Sequence, residues 1–229
     1  MKSGIDISTF NTIDYANLKC DFAIVRAGYG KYTKQKDDMF EKHYSNLHPK
    51  MPIGAYWYSY AMSADEAKQE AKACIEVIKG KKFELPIYYD VEESNQFKLG
   101  KAKVSEIIAA FCSELEKAGY YTGFYTSASW YNSVIDDNVK KKYACWIAHW
   151  NVTKPNINGK YGIWQYKVGQ YSGCKGDVDL DYMYEDYPTI IKNAGLNGYT
   201  KTTPTPNKKT ITVQVEQDGI VYKGTISQI

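Results

Sequence analysis

Two acidic residues, Asp90 and Glu92, follow an apolar segment and are separated by one residue. Residues 85–93 are predicted to form a strand, in which alternate side chains share a face, so both carboxyl groups lie on one face with Cα atoms roughly 6.5–7 Å apart. Glycosidases place two catalytic carboxyl groups at a comparable separation. Like charges this close raise the pKa of one group, which can then donate a proton near neutral pH. The alternative is a pair of solvated acids at a strand end.

The remainder of the chain predicts the framework that positions these acids. Predicted strands alternate with helices, a pattern that is typical of βαβ units with a parallel sheet. The predicted helices cover residues 36–48, 63–78, 102–118 and 185–194. The predicted strands cover residues 1–8, 22–28, 52–60, 85–93, 121–126, 143–148, 161–166 and 178–180. We therefore predict an α/β fold, an irregular TIM-like barrel of about eight strands, with few helices around the closing strands.

Two further acids, Asp6 and Asp179, stand at the carboxyl ends of predicted strands. In a parallel barrel these ends converge on one pocket, so Asp6 and Asp179 are expected to join Asp90 and Glu92 there. Acids at several independent strand ends are hard to explain by solvation alone. The sequence therefore predicts a pocket that is lined by four carboxyl groups.

Eight short motifs follow one another over residues 3–195. They are GIDIS at residues 4–8, VRAG at 25–28, GAYWYSY at 54–60, DVE at 90–92, GFYT at 123–126, WIA at 146–148, WQY at 164–166 and VDLD at 178–181. In this order they resemble the glycoside hydrolase family 25 lysozymes, the Chalaropsis-type N-acetylmuramidases of bacteria and phage endolysins. The resemblance implies an irregular β/α barrel and cleavage of the β-1,4 bond between N-acetylmuramic acid and N-acetylglucosamine. The chain departs from the family at Asp181, where asparagine is frequent, and at Trp150, where tyrosine is common.

The resemblance also implies roles for individual residues. Glu92 is similar to the general acid that protonates the leaving oxygen, and Asp90 to its charged partner. Asp90 either attacks the sugar or orients the substrate's own 2-acetamido group, and we favour the second route, which retains the configuration. Asp6 and Asp179 resemble the family's other two pocket acids. The substrate-binding positions that we predict are Tyr56, Tyr58, Tyr125, Trp164 and Tyr166.

Two other functions remain open. The first is a cell-wall sugar-binding protein on a degenerate hydrolase barrel, but pure binding does not need a proton donor such as Glu92. The second is a chitinase-like hydrolase, which usually carries a longer D-x-x-D-x-D-x-E run. Aligned on Glu92, the two earlier acids of that run fall on Leu85 and Tyr88. The muramidase interpretation is therefore favoured.

Composition limits the cofactors and partners. The net charge is only +3, which argues against a nucleic-acid partner. The five cysteines form no C-x-x-C motif, and Tyr182 stands where a calcium loop that begins at Asp177 needs glycine, so we predict free thiols and neither metal nor cofactor. No apolar run is long enough for a membrane span, and no signal peptide is visible. We expect synthesis in the cytoplasm and action on cell-wall peptidoglycan after release.

The composition changes after Gly198. We predict a catalytic barrel over residues 1–198, a Pro/Thr linker over residues 199–209 and a β-hairpin tail over residues 210–229. A lone hairpin is marginally stable in water, so it must dock, pair or belong to a larger module. Lys208 and Lys209 could contact anionic wall polymers, and the open strand edges could mediate self-association.

Overall fold

A closed barrel of eight strands is the main feature of the computed structural model, which describes residues 1–201, 210–217 and 219–227. The barrel strands are β1 (Lys2–Ile7), β2 (Phe22–Tyr29), β3 (Ile53–Tyr58), β4 (Ile87–Asp90), β5 (Thr122–Ser127), β6 (Ala144–Ala148), β7 (Ile163–Gln170) and β8 (Asp177–Met183). Around the barrel the neighbours follow the order β1-β8-β7-β6-β5-β4-β3-β2, and β2 pairs with β1. The predicted α/β barrel is confirmed.

Helices occupy the connections between strands and are longest on the first half of the chain. They are α1 (Phe40–Leu47), α2 (Ala64–Ile78), α3 (Ser94–Phe97), α4 (Lys101–Lys117), α5 (Ala128–Val134), α6 (Asp137–Lys142) and α7 (Tyr187–Ala194), with a 3-10 turn at Thr33–Gln35. Ser63 begins α2 as predicted, since its side chain accepts a hydrogen bond from the Glu66 N–H. Between β6 and β7 the described chain forms no helix, so the helix-poor closing region is confirmed.

Side chains alternate along the strands between the barrel interior and the outer layer. Tyr88 of β4 faces the interior, where its ring centroid lies 5.3 Å from that of Trp146. Its neighbour Tyr89 faces outward and stacks on Phe111 of α4 at 3.8 Å. Because the period of a strand is two residues, Asp90 returns to the interior side. β4 therefore places the Asp90 carboxyl group at the end of the barrel interior, as its sequence predicts.

The last barrel strand departs from the predicted all-parallel sheet. β8 pairs antiparallel with both β7 and β1. The connection between β7 and β8 covers only residues 171–176, and a parallel neighbour needs a longer crossover connection. Within it Cys174–Lys175 pairs with Thr12–Ile13. Asp179 therefore lies near the start of β8, not at the carboxyl end of a parallel strand as predicted.

The C-terminal strands β9 (Thr210–Gln217) and β10 (Ile220–Ser227) form the predicted antiparallel hairpin. Gly219 has a φ of +77° at its turn, a conformation that glycine adopts without a steric penalty. The predicted linker falls largely on residues 202–209, which lie outside the described residues. The division into a barrel, a linker and a tail stays a prediction. Within the described ranges no helix combines the length and apolar character that crossing a bilayer requires.

A buried polar network holds together the segments around the end of β4. Glu70 of α2 is 2% exposed and accepts hydrogen bonds from the Tyr89 hydroxyl at 2.6 Å and from the Tyr60 N–H at 2.9 Å. Ser59 donates to the Tyr89 hydroxyl at 2.8 Å, and Gln96 of α3 donates to the Ser59 hydroxyl at 2.7 Å. The network thereby connects α2 and α3 to the ends of β3 and β4. Glu92 lies in the segment between β4 and α3.

Replacing Glu70 with alanine is expected to lower the free energy of unfolding by about 2–4 kcal/mol, because it removes the acceptor of two hydrogen bonds and opens a cavity. Urea unfolding measures this change. Glu76→Ala, at an exposed position of the same helix, is the matched control and should shift stability by less than about 0.5 kcal/mol. A loss at Glu70 no larger than that of the control would contradict the bracing role.

Candidate active site

Four carboxyl groups gather at one rim of the barrel, around the hydroxyl group of Tyr125. Burial raises the pKa of Tyr125 well above its usual value, and the charges of Glu92, Asp90, Asp6 and Asp179 raise it further. Asp6 of β1 stands directly opposite Asp179 of β8, and Asp90 of β4 stands beside Tyr125 of β5. The antiparallel direction of β8 brings the start of that strand to the same rim. The structure thus brings the four predicted acids together.

Asp90 is the buried member of the predicted catalytic pair. It is 5% exposed, and no donor among the described residues reaches its Oδ1 atom. Burial, followed by the negative charges of Glu92 and Asp6, raises the pKa of Asp90 well above its usual value, while Arg26 opposes the shift. The Ser59 N–H donates a hydrogen bond of 3.0 Å to the backbone carbonyl of Asp90 and fixes the backbone there. Asp90 therefore keeps one carboxyl oxygen buried without a hydrogen-bond donor, which is costly for a charged group.

Glu92 differs from Asp90 because its side chain is exposed at the rim. It follows β4, whose last residue is Asp90. Partial loss of its water shell raises the pKa of Glu92, and the charges of Asp179 and Glu93 raise it further. An accessible carboxyl group with a raised pKa can hold a proton near neutral pH and deliver it to a ligand.

A hydrogen-bond chain links Asp6 to the aromatic residues of the rim. Gln165 of β7 donates to Asp6 Oδ2 at 2.8 Å. Its Oε1 atom accepts from the Tyr125 hydroxyl at 2.9 Å and from Trp150 Nε1 at 3.0 Å. The sequence interpretation gave weight to the aromatic neighbours of Gln165 and missed this glutamine. Strand alternation offers the signal, since Gln165 shares a face with the interior residue Ile163.

Three of the four tyrosines predicted to bind substrate occupy different depths of the site. Tyr56 and Tyr125 are buried in the interior cluster, and each ring contacts Trp146, with centroids 5.9 and 4.5 Å away. Tyr58 is half-buried and donates a hydrogen bond of 2.8 Å to Glu93 Oε1. Tyr58 therefore presents part of its ring at the rim, whereas Tyr56 lies beneath it.

Trp164 and Tyr166 lie on the outer face of β7, opposite to Gln165. Tyr166 stacks on Tyr182 with centroids 4.1 Å apart and packs against the outer core. Trp164 is buried and donates a hydrogen bond of 2.8 Å to the His149 carbonyl. The structure does not bring these two rings together with the four acids. Their predicted contact with substrate stays a prediction.

A cleft of about 520 Å³ includes Tyr58 in its lining but none of the four acids. Its lining residues are Thr9, Phe10, Arg26, Tyr29, Lys34, Lys36, Asp37, Asp38, Tyr58 and Tyr60. The Arg26 side chain forms an ion pair, since its Nε donates to Asp37 at 2.7 Å. A larger cavity of about 650 Å³ lies at the opposite end, where β6 and β7 begin. The chemistry of the acids, not cavity size, identifies the candidate site.

The structure assigns structural roles to the remaining candidate groups. Buried His43 bonds the Tyr15 hydroxyl at 2.9 Å and the Ser8 carbonyl at 3.1 Å. Cys20, Cys74, Cys112, Cys145 and Cys174 are free thiols, as predicted. In the described parts of the chain no cluster of histidine, cysteine and acidic residues could hold a metal ion.

The buried acids predict that stability falls as the pH rises. Asp6, Asp90 and Asp181 have pKa values well above those of the unfolded chain, so the folded state binds more protons and the free energy of unfolding decreases with pH. The decrease begins above about pH 4, where the unfolded acids ionise, and can reach about 1.4 kcal/mol per pH unit for each proton retained. Urea unfolding at pH 5 and pH 8 measures it. Equal stability at both values would contradict the raised pKa values.

The barrel and its acid-lined rim define a class of protein, the glycosidase barrels. The family model described as glycosyl hydrolases family 25 matches residues 5–173, and the chain belongs to this family. The chain is 28% identical over 207 residues to the autolytic lysozyme of Clostridium acetobutylicum. The matched region spans 85% of this chain and 60% of that protein. It is 27% identical over 197 residues to lysozyme M1 of Streptomyces globisporus, with coverage of 77% and 65%. The chain thus spans less than two thirds of the length of both relatives.

Solved structures support the fold. The autolysin LytC of Streptococcus pneumoniae, solved with a synthetic peptidoglycan ligand, is similar with a TM-score of 0.70 and 27% identity, over 80% of this chain and 46% of LytC. The CTP1L endolysin has a TM-score of 0.71 at 24% identity, over 84% of this chain and 70% of that chain. The resemblance read from the eight motifs is confirmed at the level of family and fold.

Proposed function

We propose that this protein is a peptidoglycan hydrolase that cleaves the β-1,4 bond between N-acetylmuramic acid and N-acetylglucosamine. The observation that carries the proposal is the pairing of exposed Glu92, whose pKa is raised, with buried Asp90 at a rim that two further acids line. Membership of family 25 and the similarity to two lysozymes support the same class of reaction. The peptidoglycan ligand of LytC supports the substrate.

In the proposed mechanism Glu92 gives its proton to the oxygen of the leaving sugar while the bond from that oxygen to C1 breaks. The oxygen of the substrate's 2-acetamido group bonds to C1 from the opposite face, and Asp90 accepts the acetamido N–H. A water molecule then attacks C1, the acetamido oxygen leaves, and the water's proton returns to Glu92. Two inversions at C1 retain the configuration. Asp6, Asp179 and the tyrosines Tyr56, Tyr58 and Tyr125 hold the sugar and shape the charge around it.

Reducing-end analysis of digested cell walls tests the proposal. Purified Gram-positive walls are digested, the new ends are reduced with borohydride, and the sugar alcohols are identified. The proposal predicts muramicitol. Glucosaminitol would show that the other glycosidic bond is cut, and binding without new ends would favour the sugar-binding protein. Cleavage of chitin oligosaccharides at a higher rate than walls would favour the chitinase-like alternative.

The cellular setting of this activity is part of the proposal. The protein is made in the cytoplasm and acts on the wall after release. The barrel over residues 1–198 carries the hydrolysis, and the tail over residues 210–229 serves either contact with the wall or self-association. Assays of the full chain beside residues 1–201 on intact walls and on soluble fragments separate these roles, since only wall contact would change the ratio of the two rates.

A further inference from the structure

Asp181 is a buried acid that the proposed mechanism does not use. It lies on β8 with no exposed surface. Its Oδ1 atom accepts a hydrogen bond of 2.8 Å from Trp146 Nε1. Its Oδ2 atom is buried, and among the described residues no N–H group or hydroxyl group donates a hydrogen bond to it. A fully buried carboxylate with half of its hydrogen-bonding capacity unused is costly, which implies a further partner.

The partner is the carboxyl group of Asp6. The register of β1 and β8 sets Asp6 opposite Asp179 and Gly4 opposite Asp181, so Asp6 and Asp181 are diagonal neighbours on the inward face. Diagonal neighbours on one face lie within reach of each other, so the register offers the Asp6 carboxyl group as the partner of the buried Oδ2 atom, and a contact between the two carboxyl groups would satisfy that atom. An ionised carboxyl group only accepts hydrogen bonds, so this contact requires a proton on one of the two groups.

The surroundings favour the protonated arrangement. The titratable groups that face this pair are Asp179 on β8, Glu92 after β4, Asp90 on β4, Tyr56 on β3 and Tyr125 on β5. The acids among them repel a further negative charge. Arg26 of β2 is a cation whose charge acts on Asp90 and Tyr56, and Asp37 already holds it in an ion pair of 2.7 Å. Two buried like charges without a cation of their own cannot both persist, so the pair keeps one proton.

The degree of enclosure indicates which residue holds that proton. Each acid accepts one hydrogen bond of 2.8 Å, Asp6 from Gln165 and Asp181 from Trp146, so the donors do not distinguish them. Asp181 is the more enclosed group, at 0% exposure against 6% for Asp6. Enclosure disfavours the charged form, so the neutral acid belongs on Asp181 and the accepting carboxylate on Asp6.

We propose that Asp181 is a neutral carboxylic acid that donates a hydrogen bond to Asp6, and that it is a positioning residue for the Asp6 carboxylate. Asp181 then forms the same hydrogen bonds as an amide side chain would. Its Oδ1 atom accepts from Trp146, and its protonated Oδ2 atom donates to Asp6. It adds no negative charge to the site, although its residue type suggests one. Burial raises the pKa of both acids well above the usual value, while a hydrogen bond between them raises the pKa of Asp181 further and lowers that of Asp6. The role of Asp6 in hydrolysis rests on the proposed function. The proton that Asp6 and Asp181 share does not depend on that function.

The proton is tested first, without activity. Protein labelled with 13C at the aspartate carboxyl carbons is titrated by NMR, as wild type, as Asp181→Asn and as the matched control Asp177→Asn, which alters an exposed residue of the same strand. The proposal predicts that wild type and the control keep one more protonated aspartate at pH 7 than Asp181→Asn. An equal number in wild type and Asp181→Asn would overturn it.

Activity then tests the positioning role. On soluble peptidoglycan fragments, Asp181→Leu is expected to lower kcat at least about 10-fold with a smaller effect on KM, while Asp181→Asn, whose amide can donate to Asp6, recovers most of this loss. Asp181→Asn should also extend activity to higher pH, because its donor cannot ionise. Near-UV circular dichroism verifies that both variants fold. An asparagine variant as slow as the leucine variant, or one with an unchanged alkaline limb, would overturn the positioning role. If wild type cleaves no walls, the proposed function fails, and the NMR count still decides whether Asp181 is neutral.

Discussion

Replacing Glu92 with glutamine is expected to slow wall hydrolysis at least about 100-fold, because the amide cannot protonate the leaving oxygen. The isosteric change keeps the size of the side chain and removes a group that repels Asp90 and Asp179, so the folded state should not lose stability. Initial rates of reducing-end formation, measured on soluble fragments across pH 4–8, give the effect on kcat. Wall binding should persist, since the variant loses the proton donor and not the cleft.

Glu93→Gln is the matched control for this experiment. It makes the same chemical change one residue further along, where Glu93 accepts a hydrogen bond from Tyr58 instead of facing the acids of β1 and β8. The amide oxygen of glutamine can still accept that bond, so the loss should be less than about 10-fold. Equal losses in the two variants, or an active Glu92→Gln variant, would remove Glu92 from the role of general acid.

The sequence predicted those features that depend on local periodicity. The alternation of β4 placed Asp90 on the interior side, and the acidic ends of several strands predicted their convergence. Both follow from the period-two geometry of strands and from the barrel, which need no knowledge of distant contacts.

Features that depend on the closing of the barrel could not be read from the sequence. The direction of β8 follows from a connection too short for a crossover, and only the resulting register explains why Asp179 faces Asp6. The same register sets Asp181 diagonal to Asp6, which is the basis of the proposed shared proton. Gln165 was missed because its role depends on Asp6, which lies at the other end of the chain. Long-range contacts thus decide the protonation of the site.

The acids of the site are chemically similar but differ in how deeply they are buried. Asp181 and Asp90 are enclosed, Asp179 is half-buried and Glu92 is exposed. An enclosed acid resists ionisation or needs a donor, whereas an exposed acid with a raised pKa can exchange its proton with a ligand and with water. The gradient therefore supports the proposed roles, proton transfer for Glu92 and orientation for Asp90. This assignment bears directly on whether Asp90 or the substrate supplies the nucleophile.

Peptidoglycan whose muramic acid lacks the N-acetyl group is expected to be cleaved at least about 100-fold more slowly than the acetylated polymer, because the acetamido oxygen is the proposed nucleophile and is held close to C1. Removal of the acetyl group also replaces the amide N–H that the proposed mechanism assigns to Asp90 with an amine. Rates on deacetylated walls, and on the same walls after chemical re-acetylation, measure the effect. Re-acetylation should restore the rate, and the first product should keep the β configuration by NMR. Undiminished cleavage of deacetylated walls with retention would instead make Asp90 the nucleophile, since its carboxylate is then the group left to form the covalent intermediate.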